Sequence, residues 1–305
     1  MRVVSLIPAA TEIVAALGAV DMLVGVTHAC DFPAMVASLP RVTACEVDAS
    51  APPATIDAEV RAFSGAGRSL HALDEDLIRS LRPDLILTQG LCDVCAVSEA
   101  DVRALATRFD PVPTIVSLSA TSLDGVLEDI ARVAVALLAE DEGEELTAGL
   151  RARLRSVHDV LKAARAPRPR VVVLEWLDPV YLAGHWVPEM VRRAGGADAL
   201  AKAGAHSTVV SIDAVVAADP DFVLVAPCGY DLARASREGA TLRHLAAWSA
   251  FSPRPLWALD GNALTSRPGP RLVDGIEVMA RIFNPSLFSP LDDSAALHLE
   301  PGAAA

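Results

Sequence analysis

Short apolar runs alternate with amphipathic stretches along most of the chain. The apolar runs lack a polar alternation, which predicts strands buried on both faces, at Val3–Ile7, Met22–Val26, Leu85–Thr88, Thr114–Leu118, Val171–Leu174, Phe222–Val225 and Leu256–Leu259. Helical spacing lies between them, at Thr11–Leu17, Ile56–Phe63, Glu75–Leu81, Glu99–Arg108 and Leu123–Leu138. This order of elements predicts an α/β protein with parallel sheets covered by helices.

The middle of the chain follows a different pattern. Residues 141–165 contain no proline and no strand pattern, with acidic residues at the start and basic residues at the end. That charge order suits the dipole of a long helix, which at 1.5 Å per residue would be about 36 Å long. The segment APRPR, residues 166–170, ends it. We expect this helix to link two lobes, although an ordinary packing helix is the alternative.

The two halves of the chain resemble each other. IRSLRPDLILTQ in the first half and VVAADPDFVLVA in the second each read as a helix end, Pro-Asp and a strand. The repetition predicts two similar α/β lobes. We expect an N-terminal lobe over 1–140, a linking helix over 141–166, a C-terminal lobe over 167–285 and a tail over 286–305.

The charge of the chain limits its partners. It has 26 basic and 39 acidic residues and a net charge of −13, which disfavours nucleic acid and anionic membrane surfaces. The longest apolar run, Val133–Ala139, is too short to cross a bilayer. Pro8 and Glu12 interrupt the apolar N-terminal stretch, so no export signal is predicted. We therefore expect a cytoplasmic protein, or a periplasmic or extracellular one if a signal was removed.

Residue types that can bind ligands or metal ions are concentrated directly after the predicted strands. Ligands of parallel sheets bind beyond the carboxyl ends of the strands. In the first half these positions carry Pro8, Thr11, His28, Cys30, Cys92 and Cys95. In the second half they carry Glu175, Trp176, His185, Trp186, Cys228, Tyr230, Asn262 and Arg267. The clustering predicts a ligand site at these loops.

Two loops of the first half suggest a metal site. His28 and Cys30 form an HxC pair, and Cys92 and Cys95 form a CxxC pair. Together they make a Cys₃His set, which suits tetrahedral Zn²⁺, Cu(I) or Co²⁺. The same thiols could instead line a ligand site or be structural.

A redox role for Cys92 and Cys95 is a further alternative. The residues Ser98 to Asp101 form a capping pattern, so the pair would precede a helix N-terminus that lowers thiol pKa values. A cytosolic metal-thiolate or redox enzyme would follow from this interpretation. The chain has five cysteines, which argues against a complete disulfide framework. We expect Cys45 to be a small buried apolar residue.

Aromatic residues lie close together after the first strand of the second half. Trp176 and Trp186, with Glu175 and His185 beside them, could hold a flat macrocycle by stacking and apolar burial. His185 could coordinate a cobalt or iron centre. The alternative is that both tryptophans pack within the core or between the lobes.

Polar residues on the remaining loops complete the candidate ligand site. Arg267 could pair with a carboxylate or phosphate of the ligand, or could cap the next helix. Tyr230 and Asn262 lie at the same predicted edge, and Cys228 adds a further thiol. The chain has no GxSxG motif and no P-loop. We therefore expect a binding protein rather than an enzyme.

Several segments together resemble a known family. They are RVVSLIPAATEIVAALG, LVGVTHACDFP, LRPDLILTQ, the midchain helix and SRPGPRLVDG, which span most of residues 2–285. They are similar to the cobalamin-binding proteins, which belong to the ABC-transporter substrate-binding proteins with a helical backbone. The extra segment from about Cys45 to Ser69 and the HAC and CDVC loops differ from the exported members, and the chain resembles a cytosolic branch.

The resemblance implies two Rossmann-like lobes joined by one backbone helix, with a ligand held in a cleft between them. It also implies a small-molecule metal chelate, such as a corrinoid, as the ligand and an ABC permease as the partner. The leading hypothesis is therefore a corrinoid-, metal-chelate- or metal-binding protein. The enzyme that uses Cys92 and Cys95 is the alternative.

Overall fold

The computed structural model describes residues 1–91, 96–249 and 254–300. Contacts divide the chain into two units. Unit 1 comprises Met1–Ala120 and Asp124–Gly149, and unit 2 comprises Thr121–Leu123 and Leu150–Ala305. The division falls inside a long helix. Among the described residues, no helix has the length and apolar character that crossing a membrane requires.

Unit 1 contains a parallel sheet with helices between its strands. Its elements in chain order are β1 Val3–Ser5, α1 Pro8–Ala16, β2 Leu23–Val26, β3 Thr43–Cys45, α2 Pro53–Gly65, β4 His71–Leu73, α3 Glu75–Leu81, β5 Leu85–Gln89, α4 Glu99–Ala106, β6 Thr114–Leu118 and α5 Leu123–Leu137. The parallel sheet has the order β2-β1-β5-β6. Residues Leu85 to Thr88 of β5 are all buried, as its unbroken apolar pattern predicts.

β1 is shorter than predicted. It ends at Ser5, and α1 begins at Pro8. Proline favours the first position of a helix because its missing N–H has no intrahelical partner there. The loop after β1 is therefore short, which holds Thr11 close to the end of the strand.

Two strands of unit 1 lie outside the parallel sheet and were not predicted. β3 and β4 form a separate antiparallel pair in which Thr43 lies opposite Leu73 and Cys45 lies opposite His71. The connection between them contains α2, so the extra segment that begins near Cys45 is a strand–helix–strand insertion. Each strand has only three residues, too few to give a periodic pattern.

Unit 2 is built on a mixed sheet. The chain continues with α6 Glu140–Ala163, β7 Arg170–Leu177, β8 Val180–Leu182, α7 Val187–Arg193, β9 Ala197–Asp198, β10 Thr208–Val209, α8 Ile212–Ala217, β11 Phe222–Val225, α9 Leu232–Thr241, α10 Ala246–Ser249, β12 Leu256–Leu259, α11 Gly261–Leu264, α12 Leu272–Phe283 and β13 Ala296–His298. β7, β11 and β12 are parallel, as predicted. β8, β10 and β13 pair antiparallel beside them and were missed.

Helix α6 has the length expected of the midchain segment, with 24 residues. Its portion in unit 2 is fixed to α12 by Arg153. The guanidinium donates to Asp274 Oδ1 at 2.5 Å and to Glu277 Oε1 at 2.9 Å. These bonds raise the pKa of Arg153 above its ordinary value, so the group stays charged. The α/β class is confirmed, and the role of α6 as a link stays a prediction.

Candidate functional site

The end of β1 in unit 1 is a tightly bonded polar region. Thr11 is fully buried, and its hydroxyl donates to Ser5 Oγ at 2.8 Å. The same hydroxyl lies 3.1 Å from the sulfur of Cys30, which is 2% exposed. Cys30 also lies 3.7 Å from Thr27 Oγ1. Thr11 and Cys30 therefore contact each other inside unit 1, and their hydroxyl and thiol are already engaged there.

His28 lies on the loop after β2 and faces the β3–β4 insertion. Its Nδ1 lies 2.8 Å from Thr43 Oγ1, and its backbone N–H donates to the same oxygen at 3.1 Å. The Arg41 guanidinium stabilises this loop by donating to the carbonyl oxygens of Thr27 at 3.1 Å and Cys30 at 2.8 Å. Backbone and side-chain bonds together fix the direction of the imidazole.

Three side chains of the types that bind metal ions come together at this point. Among the residues that the structure describes, His28, Cys45 and His71 each offer one ligand atom, and these atoms lie within 4.8 Å of one another. The rings of His28 and His71 are stacked with centroids 5.5 Å apart. Partial loss of hydration lowers the pKa of His28 below its ordinary value, and the charges of His71 and Arg41 lower it further.

The structure tests the prediction for Cys45 but not those for Cys92 and Cys95. Cys45 is exposed, so the prediction that it is a buried apolar residue is wrong, because β3 lies outside the sheet that forms the core. Cys92 and Cys95 lie outside the described residues, so both the four-residue metal set and the redox pair stay predictions. His71 was missed altogether. Its partner Cys45 is remote in sequence, and only the strand register brings the two together.

A small cavity borders this group. It has a volume of about 60 Å³ and is lined by Pro8, Thr27, His28, Thr43 and His71, among others. Pro8, the first residue of α1, therefore lines the same cavity as His28. The volume suits one or two water molecules or a similarly small ligand.

In unit 2, the end of β7 lies beside the segment that follows β11. Glu175 and Trp176 were predicted to follow a strand that ends at Leu174, but β7 extends to Leu177 and contains both residues. The backbone N–H of Cys228 donates to the carbonyl of Glu175 at 3.1 Å. The ring of Trp176 lies 5.2 Å from the ring of Tyr230, and the Arg234 guanidinium lies 3.8 Å from the Tyr230 centroid. Tyr230 is 3% exposed, and its burial raises the pKa of its hydroxyl.

The loop after β12 joins the same edge. The N–H of Asn262 donates to the Tyr230 carbonyl at 3.0 Å, and Arg267 donates to Asn262 Oδ1 at 2.8 Å. Gly261 permits this approach, because a Cβ there would lie 2.3 Å from the carbonyl oxygen of Pro227. Arg267 is 6% exposed. A buried guanidinium is thus linked through Asn262 to the backbone of Tyr230.

His185 and Trp186 lie on a separate loop of unit 2. Trp186 is 6% exposed, and its indole N–H donates to the Thr265 carbonyl at 2.7 Å, so its ring contributes packing. The His185 ring is partly exposed, and its Nε2 lies 3.2 Å from His206 Nδ1. Desolvation first, and then the charge of His206, lower the pKa of His185.

Two sequence relatives of the chain are named as binding proteins. The Vitamin B12-binding protein of Vibrio cholerae is 27% identical over 90% of this chain and 86% of its own length. An uncharacterized ABC transporter substrate-binding lipoprotein of Bacillus subtilis, YvrC, is 24% identical over 94% of this chain and 81% of its own length. These names describe the relatives. They give no support to a cytoplasmic location for this chain.

Solved structures share the fold. A periplasmic heme binding protein from Pseudomonas aeruginosa has a TM-score of 0.73 at 22% identity and covers 99% of both chains. The periplasmic vitamin B12 binding protein BtuF of Vibrio cholerae has a TM-score of 0.62 at 24% identity, covering 93% of this chain and 96% of its own. These comparisons bear out the two-lobe α/β class.

The family model described as periplasmic binding protein matches residues 3–251. This match favours a solute-binding role over the redox-enzyme alternative, because the description is of a binding protein. Since the model covers most of the 305 residues, the chain belongs to the periplasmic binding protein family.

Proposed function

We propose that this chain binds a corrinoid or a closely related metal tetrapyrrole and delivers it to an ABC-type permease. The observation that carries the proposal is the edge of unit 2 at which Trp176, Tyr230 and Arg267 come together. The printed names of relatives, which include vitamin B12-binding and heme-binding proteins, support the same ligand class.

The chemistry of this edge matches a flat ligand with an anionic rim. Aromatic rings bind a macrocycle face by dispersion and apolar burial. Trp176 is partly exposed and so retains ring surface for such a contact. A buried guanidinium favours a carboxylate or phosphate, since its planar donors fit these groups. Arg267 would thus orient the ligand, while Trp176 would supply contact area.

The other proposed contacts differ in how accessible they are. Cys228 and His185 retain exposed surface, whereas Thr11 and Trp186 are buried. Thr11 and Trp186 would act by shaping the loops, because the Thr11 hydroxyl bonds to Ser5 and the Trp186 indole N–H bonds to the Thr265 carbonyl. The proposed ligand-contacting set of unit 2 is therefore Glu175, Trp176, His185, Cys228, Tyr230, Asn262 and Arg267, and Pro8 is a separate candidate contact in unit 1.

Titration with aquocobalamin, cyanocobalamin and haem tests the proposal. We expect one of them to bind, with a change in its visible spectrum and a heat signal at 1:1 stoichiometry. The variant Trp176→Leu should bind about fivefold more weakly, because one stacking contact contributes about 1 kcal/mol beyond its area. Trp257→Leu is the matched control, since Trp257 is also a strand tryptophan but its ring packs against His298 and not against Tyr230.

Two results would contradict the proposal. The first is that none of the three compounds binds at high micromolar concentration. The second is that Trp257→Leu weakens binding as much as Trp176→Leu does while both variants remain folded by circular dichroism. That result would assign the effect to general destabilisation of unit 2.

A further inference from the structure

We propose that His28, Cys45 and His71 form a binding site for a bare divalent ion of the zinc class. The three ligand atoms lie within 4.8 Å of one another, and they come from three separate segments: the loop after β2, β3 and β4. The site lies in unit 1 and does not depend on the proposed binding of a tetrapyrrole.

The strand geometry explains why the three side chains converge. Cys45 and His71 are direct partners across the antiparallel pair, so their side chains project from the same face. Thr43 lies two residues before Cys45 and therefore also projects from that face. Because Thr43 contacts the His28 ring, it brings His28 to the face that carries Cys45 and His71.

The spacing needs only a small adjustment to bind an ion. With Zn–N and Zn–S bonds of about 2.0 and 2.3 Å, tetrahedral ligand atoms lie roughly 3.5 Å apart. Because the ligand atoms lie within 4.8 Å of one another, each pair must close by no more than about 1.3 Å. Cys45 is exposed, so its side chain can rotate without disturbing the core.

Thr43 gives His28 the environment of a metal ligand. Histidine ligands usually hydrogen-bond through the second ring nitrogen, which fixes the ring and its tautomer. When Nδ1 donates to Thr43 Oγ1, Nε2 retains the lone pair that an ion requires. Arg41 stabilises the same loop through two backbone carbonyls.

The number of ligands distinguishes a bare ion from a metal chelate. A corrin or porphyrin occupies four equatorial positions and leaves at most two for protein ligands. Three protein ligands on one ion therefore fit a bare ion. One thiolate and two imidazoles suit Zn²⁺ and Co²⁺, and the adjoining cavity of about 60 Å³ leaves room for a water as the fourth ligand.

Titration of the metal-free, reduced protein with Co²⁺ alone is the direct test. A thiolate-to-cobalt charge-transfer band and intense d–d bands at 1:1 stoichiometry are expected. Cys45→Ser should abolish the charge-transfer band, and His71→Gln should abolish the tetrahedral d–d pattern. Thr43→Val should keep the ligands but weaken Co²⁺ binding by about 10- to 100-fold.

Controls separate this site from other thiols. Cys228→Ser removes an exposed thiol of unit 2 and should leave the bands unchanged. The double variant Cys92→Ser/Cys95→Ser should also retain them. Circular dichroism checks folding, and Cys45→Ala replaces Cys45→Ser if the latter is unfolded.

Several outcomes would overturn the site. They are no band with the wild-type chain, a band that persists in Cys45→Ser or His71→Gln, and loss of the band in the Cys92/Cys95 double variant. Because the titration contains no tetrapyrrole, a negative result here leaves the tetrapyrrole titration unaffected, and the reverse is also true.

Discussion

The carboxyl ends of the parallel strands carry different chemistry in the two units. In unit 2, the last residues of β7 and the segment after β11 form an aromatic pair, and the segment after β12 carries a buried guanidinium that bonds to Asn262. In unit 1, the loop after β2 supplies only His28, and an inserted strand pair supplies Cys45 and His71. The rule that ligands bind at strand ends therefore accounts for the proposed site of unit 2 and only in part for the proposed site of unit 1.

The largest effect should come from breaking the contact that holds the loops of unit 2 together. In Gly261→Ala, the new Cβ would lie 2.3 Å from Pro227 O and 2.7 Å from Ala226 C, both backbone atoms. We expect a loss of about 3 kcal/mol in unfolding free energy, with loss of tetrapyrrole binding. Urea unfolding followed by circular dichroism measures it.

The control for Gly261→Ala is Gly65→Ala, at the end of α2 in unit 1. A Cβ at Gly65 meets nothing within 4 Å. Alanine there should therefore be neutral or stabilising by up to about 1 kcal/mol. A similar loss in both variants would mean that the close approach at Gly261 is not what organises this edge.

The second-largest expected change is a rise in unfolding free energy when Zn²⁺ binds at the strand insertion of unit 1. Zn²⁺ at a free concentration 100-fold above its Kd should raise the unfolding free energy by about 2.7 kcal/mol. Hydrogen exchange should slow at the backbone amides of β3 and β4, because the ion joins these strands to the loop after β2. Protection confined to unit 2 would contradict this placement of the ion. In Cys45→Ser, whose thiol is exposed, neither the stabilisation nor the protection should occur.

Variants of Arg267 test whether this residue contributes to tetrapyrrole affinity, to the stability of unit 2, or to both. Arg267→Met removes a buried charge and its bond to Asn262, which should cost about 2 kcal/mol of unfolding free energy and weaken an anionic tetrapyrrole at least tenfold. Arg267→Lys should recover part of the affinity, because it keeps the charge but not the planar donor geometry.

The matched control for Arg267 is Arg254→Met. Arg254 pairs with Asp219 at a solvent-accessible position, so its loss should cost less than about 1 kcal/mol. If Arg267→Met lowers stability while tetrapyrrole affinity stays unchanged, then Arg267 only fixes the loop after β12. That is the helix-capping type of role that the sequence also allowed.

Much of the fold could be predicted because long periodic patterns survive in the sequence. α3 forms over Glu75–Leu81 and β6 over Thr114–Leu118, as their patterns predict. β3, β4, β8 and β10 were missed because strands of two or three residues carry no measurable period. Their pairing depends on neighbours distant in sequence, which local patterns do not report.

The candidate site residues also fall into those that the sequence predicted and those that it missed. Trp176, Tyr230, Asn262 and Arg267 follow predicted strands, so topology alone was enough to gather them at one edge. Whether they bind a solute stays a prediction. The pairing of Cys45 with His71 depends on the register across an insertion that contains a whole helix. No spacing rule for metal sites covers such a separation.

The smallest expected change is the pH dependence of stability that arises from His185 and its neighbour His206 in unit 2. His185 has its pKa lowered from 6.5 by desolvation and by His206. The folded chain therefore binds fewer protons than the unfolded chain in this range. Stability should fall as the pH drops from above 6.5 through the folded pKa of His185. The His206→Gln variant removes the charge but not the desolvation, so the His185 pKa should rise only part of the way to 6.5.

Proton NMR titration of the imidazoles of wild type and His206→Gln measures the shift of His185 directly. His185→Asn should flatten the pH dependence of unfolding in this window, and asparagine tolerates the positive φ of 53° at this position. If the His185 pKa does not move in His206→Gln, the burial of its own ring accounts for the whole shift. The two histidines would then be neighbours without electrostatic coupling, unlike the imidazoles of unit 1, which the proposed ion would join.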